Sequence, residues 1–260
     1  MKQTLAFIHP DAKIGKGVII EPFSTINKNV EIGEGTWISS NVSIMEGARI
    51  GKNCRIFPGA VISAIPQDLK FSGEESIARI GNCTTIRECV TINRGTSASG
   101  ETTVGDNCLL MAYSHVAHDC IIGNNCIIAN SVAIAGHVTL GDYAILGGLS
   151  AVHQFVKIGE HSMISGGTLI RKDIPPFVKA AKEPASFVGI NSIGLQRRGF
   201  EADKIYEIQN IYRRLFQSNQ NISQAIKSID SEFSNSKEKE KILSFIETSE
   251  RGIMKGYSSK

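Results

Sequence analysis

Large aliphatic residues recur every six positions along most of this chain. From Ile8 the series runs through Ile14, Ile20 and Ile26 without a break to Ile62, resumes at Ile80, Ile86 and Ile92, and runs again from Val104 to Ile170. Twenty-five of the 28 positions in this phase are aliphatic, the exceptions being Asp68, Glu74 and Ala98. The position two residues earlier is nearly always small, as at Ala12, Val18, Ser24, Val30, Thr36 and Val42. Side chains two apart on a strand share a face, so each short strand places one small and one large residue inside.

A longer period lies over the first. An aliphatic–Gly pair stands at 14–15, 32–33 and 50–51, at 80–81, and at 104–105, 122–123, 140–141 and 158–159. Within each group the step is three hexads, with glycine expected at sharp corners because it accepts positive φ. Three strands and three corners in every three hexads make a triangular coil, and stacked coils bury one continuous core. About twelve extra residues interrupt the coil near 63–79 and about six near 93–103. Both segments are polar and rich in turn residues, and a solenoid extrudes insertions as loops, often on its binding face.

The hexad register ends after Ile170, and RKDIPPF follows with two prolines. Beyond about residue 190 the period becomes helical, with Ile205, Ile208, Ile211, Tyr212 and Leu215 on one face. Asn221 is a cap for a second helix and Ser236 for a third, with Gly252 at its end. The predicted class is mainly β: a parallel β-helix over 1–185 and a C-terminal helical domain over 186–260, which could cap one end, pack sideways or meet a neighbouring chain.

Composition narrows the function only a little. Hydrophobic residues make up 42% and charged residues 20% of 260, which suits a globular chain. A net charge of +3 is too weak to argue for nucleic acid. MKQTLAFIHP contains no apolar run of signal-peptide length, and no stretch approaches the ~18 apolar residues of a membrane span. A cytoplasmic location is expected. The six cysteines form no C-x-x-C pair; Cys54, Cys108, Cys120 and Cys126 fall in the small inward phase and read as core residues.

Candidate chemistry lies in the histidines. His115, His118, His137 and His153 cluster in the second half of the repeat, and none occupies an inward phase. Subtracting whole coils of three hexads places His118, His137 and the His153–Gln154 pair in one column, with Gly136 one coil above His118; successive coils lie about 4.8 Å apart. Imidazole takes or gives a proton near neutrality, as a hydroxyl attacking a thioester requires, and the developing oxyanion needs a donor such as a backbone N–H. Three histidines in a column could instead hold zinc, as in β-helical hydratases. The whole could also be a non-catalytic solenoid scaffold with solvated histidines.

LLMAYSHVAHDC, AGHVTLGD, AVHQF, DIPPF, the segment from Asn191 to Gly194, LQRRGF, the loop PQDLKFSGE and the strand IRECVTINRGT resemble the UDP-N-acetylglucosamine O-acyltransferase family, which opens lipid A biosynthesis. The resemblance extends from about His9 to Gly252. It implies a left-handed coil, a homotrimer with clefts between subunits, and transfer of an R-3-hydroxyacyl group from acyl carrier protein to the sugar 3-hydroxyl. It implies no cofactor and no bound metal; the donor travels on the carrier's phosphopantetheine.

By the same resemblance His118 is similar to the general base, Asp119 to its orienting carboxylate and Gly136 to the oxyanion donor. Gln67, Asp68 and Lys70 resemble residues that hold sugar and acyl chain. His115, His137, His153 and Gln154 resemble sugar and phosphate contacts, Asn191, Arg197 and Arg198 the nucleotide end, and Gly166 the small position that leaves room for a long acyl chain. The chain departs from the family at Asn93, where many members have histidine, at Ile193, where many have glutamate, and at Pro66, where asparagine is common. These departures leave open a 3-amino acceptor. The related N-acyltransferases carry an extra N-terminal domain, for which the register beginning at about Ile8 leaves no room.

Overall fold

The computed structural model describes residues 5–218 and 220–256. Strands of mostly two residues wind into a left-handed parallel β-helix of triangular section. The first face is a nine-stranded sheet beginning at Phe7–Ile8, the second an eight-stranded sheet beginning at Lys13–Ile14, and the third an eleven-stranded sheet that includes Ile19–Ile20. Successive coils pair in register at the three-hexad period, as in His115 with Ala133 and Ala133 with Ala151. The aliphatic phase is buried from Ile20 to Ile170, and each fully buried isoleucine contributes about 1.5–3 kcal/mol.

The small inward phase carries a second function. Thr36 donates its hydroxyl to Gly51 O at 2.9 Å, Thr84 to Gly105 O at 2.8 Å, and Cys54, Cys108 and Cys126 turn their thiols toward the matching carbonyls of Gly81, Gly123 and Gly141. Small donors therefore satisfy corner carbonyls from inside the coil, and Cys54, Cys108, Cys120 and Cys126 are all buried.

The repeated aliphatic–Gly pair has a different cause from the one its sequence suggests. Those glycines have ordinary φ; they are glycine because the next coil's backbone lies against them. A Cβ on Gly33 would stand 2.5 Å from Gly51 C. The positive φ needed at corners falls instead on the second turn residue, often asparagine, as at Asn29, Asn41, Asn53, Asn107 and Asn125.

The two insertions are 65–76 and 94–100, narrower than the sequence boundaries because Val61–Ala64, Ile77–Ile80 and Glu101–Val104 continue as four-residue strands. Both leave the first corner, between the first and second faces; the second corner joins the second face to the third, and the third corner joins the third face to the first.

The coil also runs past Ile170. Ile174 bridges Ile158, Pro176 stacks on Gly159, and strands Val178–Ala181 and Ser186–Ile190 extend the third face. The prolines are accommodated in the turn that precedes the next strand. Helix α1 (Ser192–Arg197) follows, then α2 (Ala202–Gln217), α3 (Ile222–Glu232) and α4 (Lys237–Glu247). Asn221 forms a capping box with Gln224, and the Ser236 side chain accepts from the Lys239 amide. Gly252 lies beyond the end of α4, at φ 69° in the turn that leads to strand Lys255–Gly256. The helices close over the last coils: the buried Tyr212 donates to Pro176 O at 2.6 Å and stacks on Phe187.

Candidate active site

The first corner is where the unusual chemistry collects. On five successive coils it carries the loop 65–76, the loop 94–100, the pair His118–Asp119, the pair Gly136–His137 and the pair Gln154–Phe155. The ladder holds these turns in register: the His137 amide donates to His118 O at 3.0 Å and the Phe155 amide to Gly136 O at 3.1 Å. His118, Gly136 and Gln154 thus share one position of the turn, and Asp119, His137 and Phe155 the other.

Asp119 is the centre of the site. Its side chain is fully buried, at the second turn position, where an earlier coil of the same corner carries the neutral Asn29. Oδ1 accepts from the Thr96 amide at 2.9 Å and from the Ser99 hydroxyl; Oδ2 accepts from Thr96 Oγ1 at 2.7 Å and pairs with His118 Nδ1 at 2.7 Å. Burial acts most strongly and would raise the carboxyl pKa. Together the donors from Ser99, His118 and Thr96 outweigh it and hold the group at about 2. The carboxylate is therefore ionised at neutral pH.

An ionised acceptor fixes the proton of His118 on Nδ1 and leaves the Nε2 lone pair available. Gly136 lies directly over the His118 ring. His137 meets that ring edge-on with centroids 5.2 Å apart, and stacks on Phe155 at 4.5 Å. His115 is half-buried, its Nδ1 2.7 Å from Thr91 Oγ1; burial first, then the nearby His118, push its pKa down. His153 and Gln154 are exposed, with His153 Nδ1 donating to Gln154 O at 3.2 Å.

His118, Asp119 and His137 also bring potential metal-ligand atoms within 4.8 Å of one another. Here, however, His118 Nδ1 and Asp119 Oδ2 face each other at hydrogen-bond distance, and Oδ2 also accepts from Thr96. The donor set is committed internally and fits a proton-transfer dyad better than a metal centre.

The remaining candidates divide by corner. Gln67, Asp68 and Lys70 lie on the loop 65–76 at the first corner, Gln67 and Lys70 exposed and Asp68 half-buried with its carboxylate accepting from the Lys70 amide at 3.0 Å. Asn191 and Arg198 belong to the second corner: Asn191 is buried and donates to His161 O at 2.9 Å, while Arg198 lies over the Tyr143 ring at 5.0 Å. Arg197 is exposed at the end of α1. Gly166 is exposed at the third corner, where a Cβ would come within 3.0 Å of Gly148 O. A single chain gathers His115, His118, Asp119, Gly136, His137, His153, Gln154 and the first loop, and leaves Asn191, Arg197, Arg198 and Gly166 at other corners. Of the departures, Asn93 is buried and its amide donates to Ile65 O at 3.1 Å, fastening the base of the first loop; Pro66 is buried beside it and Ile193 is exposed.

Sequence reasoning misses Thr96 and Ser99. Their signal lies in the insertion arithmetic: one coil plus the inserted residues, counted back from Asp119, falls beside Thr96, whereas a plain coil of three hexads does not.

A hexapeptide coil carrying a carboxylate-oriented histidine at one corner defines a group-transfer enzyme of the repeat-built transferase class. The bacterial transferase hexapeptide model matches residues 29–64 and 101–136, and the model for domain 2 of UDP-N-acetylglucosamine O-acyltransferase matches 173–254. The acyl-[acyl-carrier-protein]–UDP-N-acetylglucosamine O-acyltransferase of Myxococcus xanthus is 42% identical over 193 residues, covering 74% of this chain and 75% of that one. A UDP-N-acetylglucosamine acyltransferase structure from Bacteroides fragilis is 52% identical with a TM-score of 0.97, covering 98% of this chain and all of that one. The Arabidopsis enzyme's structure is 32% identical with a TM-score of 0.88 over 98% of this chain and all of that one. The chain belongs to the UDP-N-acetylglucosamine O-acyltransferase family.

Proposed function

We propose that this protein transfers an R-3-hydroxyacyl group from acyl carrier protein to the 3-hydroxyl of UDP-N-acetylglucosamine, the first step of lipid A biosynthesis. The observation that carries the reading is the His118–Asp119 dyad beneath Gly136, in a chain alike from end to end to enzymes named for this reaction. His118 Nε2 takes the proton of the sugar hydroxyl as its oxygen attacks the thioester carbonyl carbon. The carbonyl oxygen becomes an oxyanion, for which the Gly136 amide is the donor. Collapse of the intermediate breaks the C–S bond, and the departing thiolate of the carrier's phosphopantetheine receives the proton from His118. Asp119 stabilises the imidazolium throughout and keeps its own charge. No further cofactor is needed for this proton balance.

Gln67, Asp68, Lys70, His115, His137, His153 and Gln154 are assigned to sugar, phosphate and acyl contacts at the first corner. Asn191, Arg197, Arg198 and Gly166 stand at other corners, so their assignment to the nucleotide end and the acyl pocket calls for a second copy of the chain. A homotrimer with clefts between subunits satisfies that geometry. It is supported by large apolar side chains left open on a single chain, including Tyr113, Leu149 and Phe155 at the corners and Ile121 on the second face. Sedimentation at several concentrations tests the trimer. No helix among the described residues is long and apolar enough to cross a membrane, which accords with a cytoplasmic site of action.

Mass spectrometry after mixing the protein with UDP-N-acetylglucosamine and 3-hydroxyacyl carrier proteins of different chain lengths tests the reaction. Acylated UDP-N-acetylglucosamine supports the reading and reports chain length. Product from the 3-amino sugar alone reassigns the acceptor, and no product from either sugar overturns the reading.

A further inference from the structure

A buried carboxylate is costly unless it is fully served by donors. At the matching position of this corner an earlier coil carries Asn29, which has no charge. Asp119 therefore has a structural cost that the coil itself does not require, and the loop 94–100 supplies three of the donors that offset it. Thr96 is buried and gives both its amide and its hydroxyl; Ser99 gives its hydroxyl. The loop also orients these groups. The Ala98 amide donates to Thr96 Oγ1 at 3.2 Å, which leaves that hydroxyl's proton for Asp119. Ser99 Oγ lies 2.8 Å from Glu101 O as well, but its single proton is drawn to the charged acceptor.

The loop has a rigid base. The Gly100 amide donates to Thr96 O at 2.7 Å, and the Gly95 amide to Ile77 O at 3.1 Å. The base also reaches the other insertion. Glu74, on the loop that carries Gln67, Asp68 and Lys70, accepts from the Ser97 amide at 3.0 Å through Oε1 and from the Ser72 amide at 2.9 Å through Oε2. A continuous chain of bonds thus runs from the first loop through Glu74 and Ser97 to Thr96 and Ser99, then to Asp119 and His118.

We propose that Thr96 and Ser99 are positioning residues, whose hydroxyls hold the Asp119 carboxylate ionised and aimed at His118 Nδ1. This rests on the reading of His118 as the base. The titratable groups facing Asp119 are His118 on its own corner and His137 on the next coil at 3.7 Å; His115 neighbours His118, and Glu74 stands behind the clamp at Ser97. The charged residue of the loop 94–100 is Arg94, which bonds Glu46 O and lies over the Phe71 ring, and Thr96 and Ser99 are neutral, so removing a hydroxyl changes the donors to Asp119 without changing the charge around it. With fewer donors the Asp119 carboxylate keeps more of its charge for His118 and holds the imidazolium more firmly, so the acid limb of activity moves to higher pH.

The test is steady-state kinetics across pH on Thr96→Val, Thr96→Ser, Ser99→Ala and the control His118→Gln, with thermal melting of each. We expect Thr96→Val and Ser99→Ala to lower kcat about tenfold, with KM for UDP-N-acetylglucosamine held within about twofold and the acid limb of kcat/KM displaced upward. Thr96→Ser restores both kcat and the pH profile because it keeps the donor. Folded Thr96→Val and Ser99→Ala enzymes with wild-type kcat and pH profile overturn the proposal. So does a loss of kcat with an unmoved pH profile that Thr96→Ser fails to rescue, since packing of the loop then explains it. The control separates the two readings: an inactive His118→Gln beside wild-type clamp variants sinks the clamp alone, and an active His118→Gln sinks the base on which the clamp rests.

Discussion

A Cβ added to Gly136 would stand 2.6 Å from His118 Cε1 and 2.8 Å from His118 Nε2. The glycine is there for the ring beneath it, since its φ is one that any residue adopts. Both atoms belong to the edge of the imidazole that carries the free Nε2, so any side chain at 136 must push the His118 ring out of place.

Gly136→Ala is therefore expected to fold normally and to lose turnover by about 10²-fold, the scale of an ångström-sized displacement of a catalytic group. Near-UV circular dichroism, melting temperature and kcat together check it. Wild-type turnover in a folded Gly136→Ala would show that His118 does not act from the position seen here.

His118→Ala should leave folding intact, because the side chain lies outside the coil's core, and should lower turnover by about 10²–10⁴-fold, the usual contribution of a general base. A single-turnover assay with preformed acyl carrier protein reads the chemical step. If the variant turns over at the wild-type rate, another residue is the base.

The architecture is legible in the sequence because a β-helix is local. Each coil pairs with the coil that follows it in the chain, so the phase that begins at Ile8 reports burial directly, and Cys108 and Cys126 declare themselves core residues by their place in it. The repeat locates the glycines at 33 and 51 but not their cause, since close stacking of coils cannot be read from a residue type that also favours positive φ. The continuation beyond Ile170 is hidden by Pro175 and Pro176, which displace the hexad phase without ending the coil. At the site, His118, Gly136 and His137 follow from the period alone. Thr96 and Ser99 do not, because their contact with Asp119 crosses an insertion that breaks the count. Asn191 and Arg198 show the limit from another side: motif resemblance names them, yet the coil places them at a different corner from His118.

The inward phase of the cysteines has a chemical consequence. Cys54, Cys108, Cys120 and Cys126 are buried, and burial raises the Cys120 thiol to about 12. A thiol must ionise and be reached before it reacts. These four should stay unmodified by a negatively charged aromatic disulfide reagent in the native protein and react on unfolding in denaturant. Peptide mapping of the native, labelled protein assigns the sites. Modification of Cys108 or Cys126 at a rate near that of a free thiol would mean that the coil opens there.

The second corner carries a pH dependence of its own. His161 is buried between Tyr143, stacked at 4.8 Å, and Phe177, with Phe200 edge-on at 5.2 Å, and its Nδ1 has no hydrogen-bond partner among the described residues. Burial first, then the positive charges of Arg198 and Lys241, push its pKa down to about 4, against a smaller upward pull from Asp142. In the unfolded chain the group titrates near about 6.5. On acidification the unfolded chain therefore takes up this proton first. The stability held by a neutral His161 is fully present above about pH 6.5, falls as the pH drops, and stops falling below about 4. The window spans about two and a half units, or about 3 kcal/mol. His161→Phe keeps a ring in the stack and removes the proton. Unfolding followed at intervals between pH 7.5 and 4 should show the wild type losing that much more stability than His161→Phe, with the other groups contributing equally to both. Parallel curves would mean that His161 takes its proton in the folded protein as easily as in the unfolded one, and that the aromatic stack at the second corner opens to admit the charge.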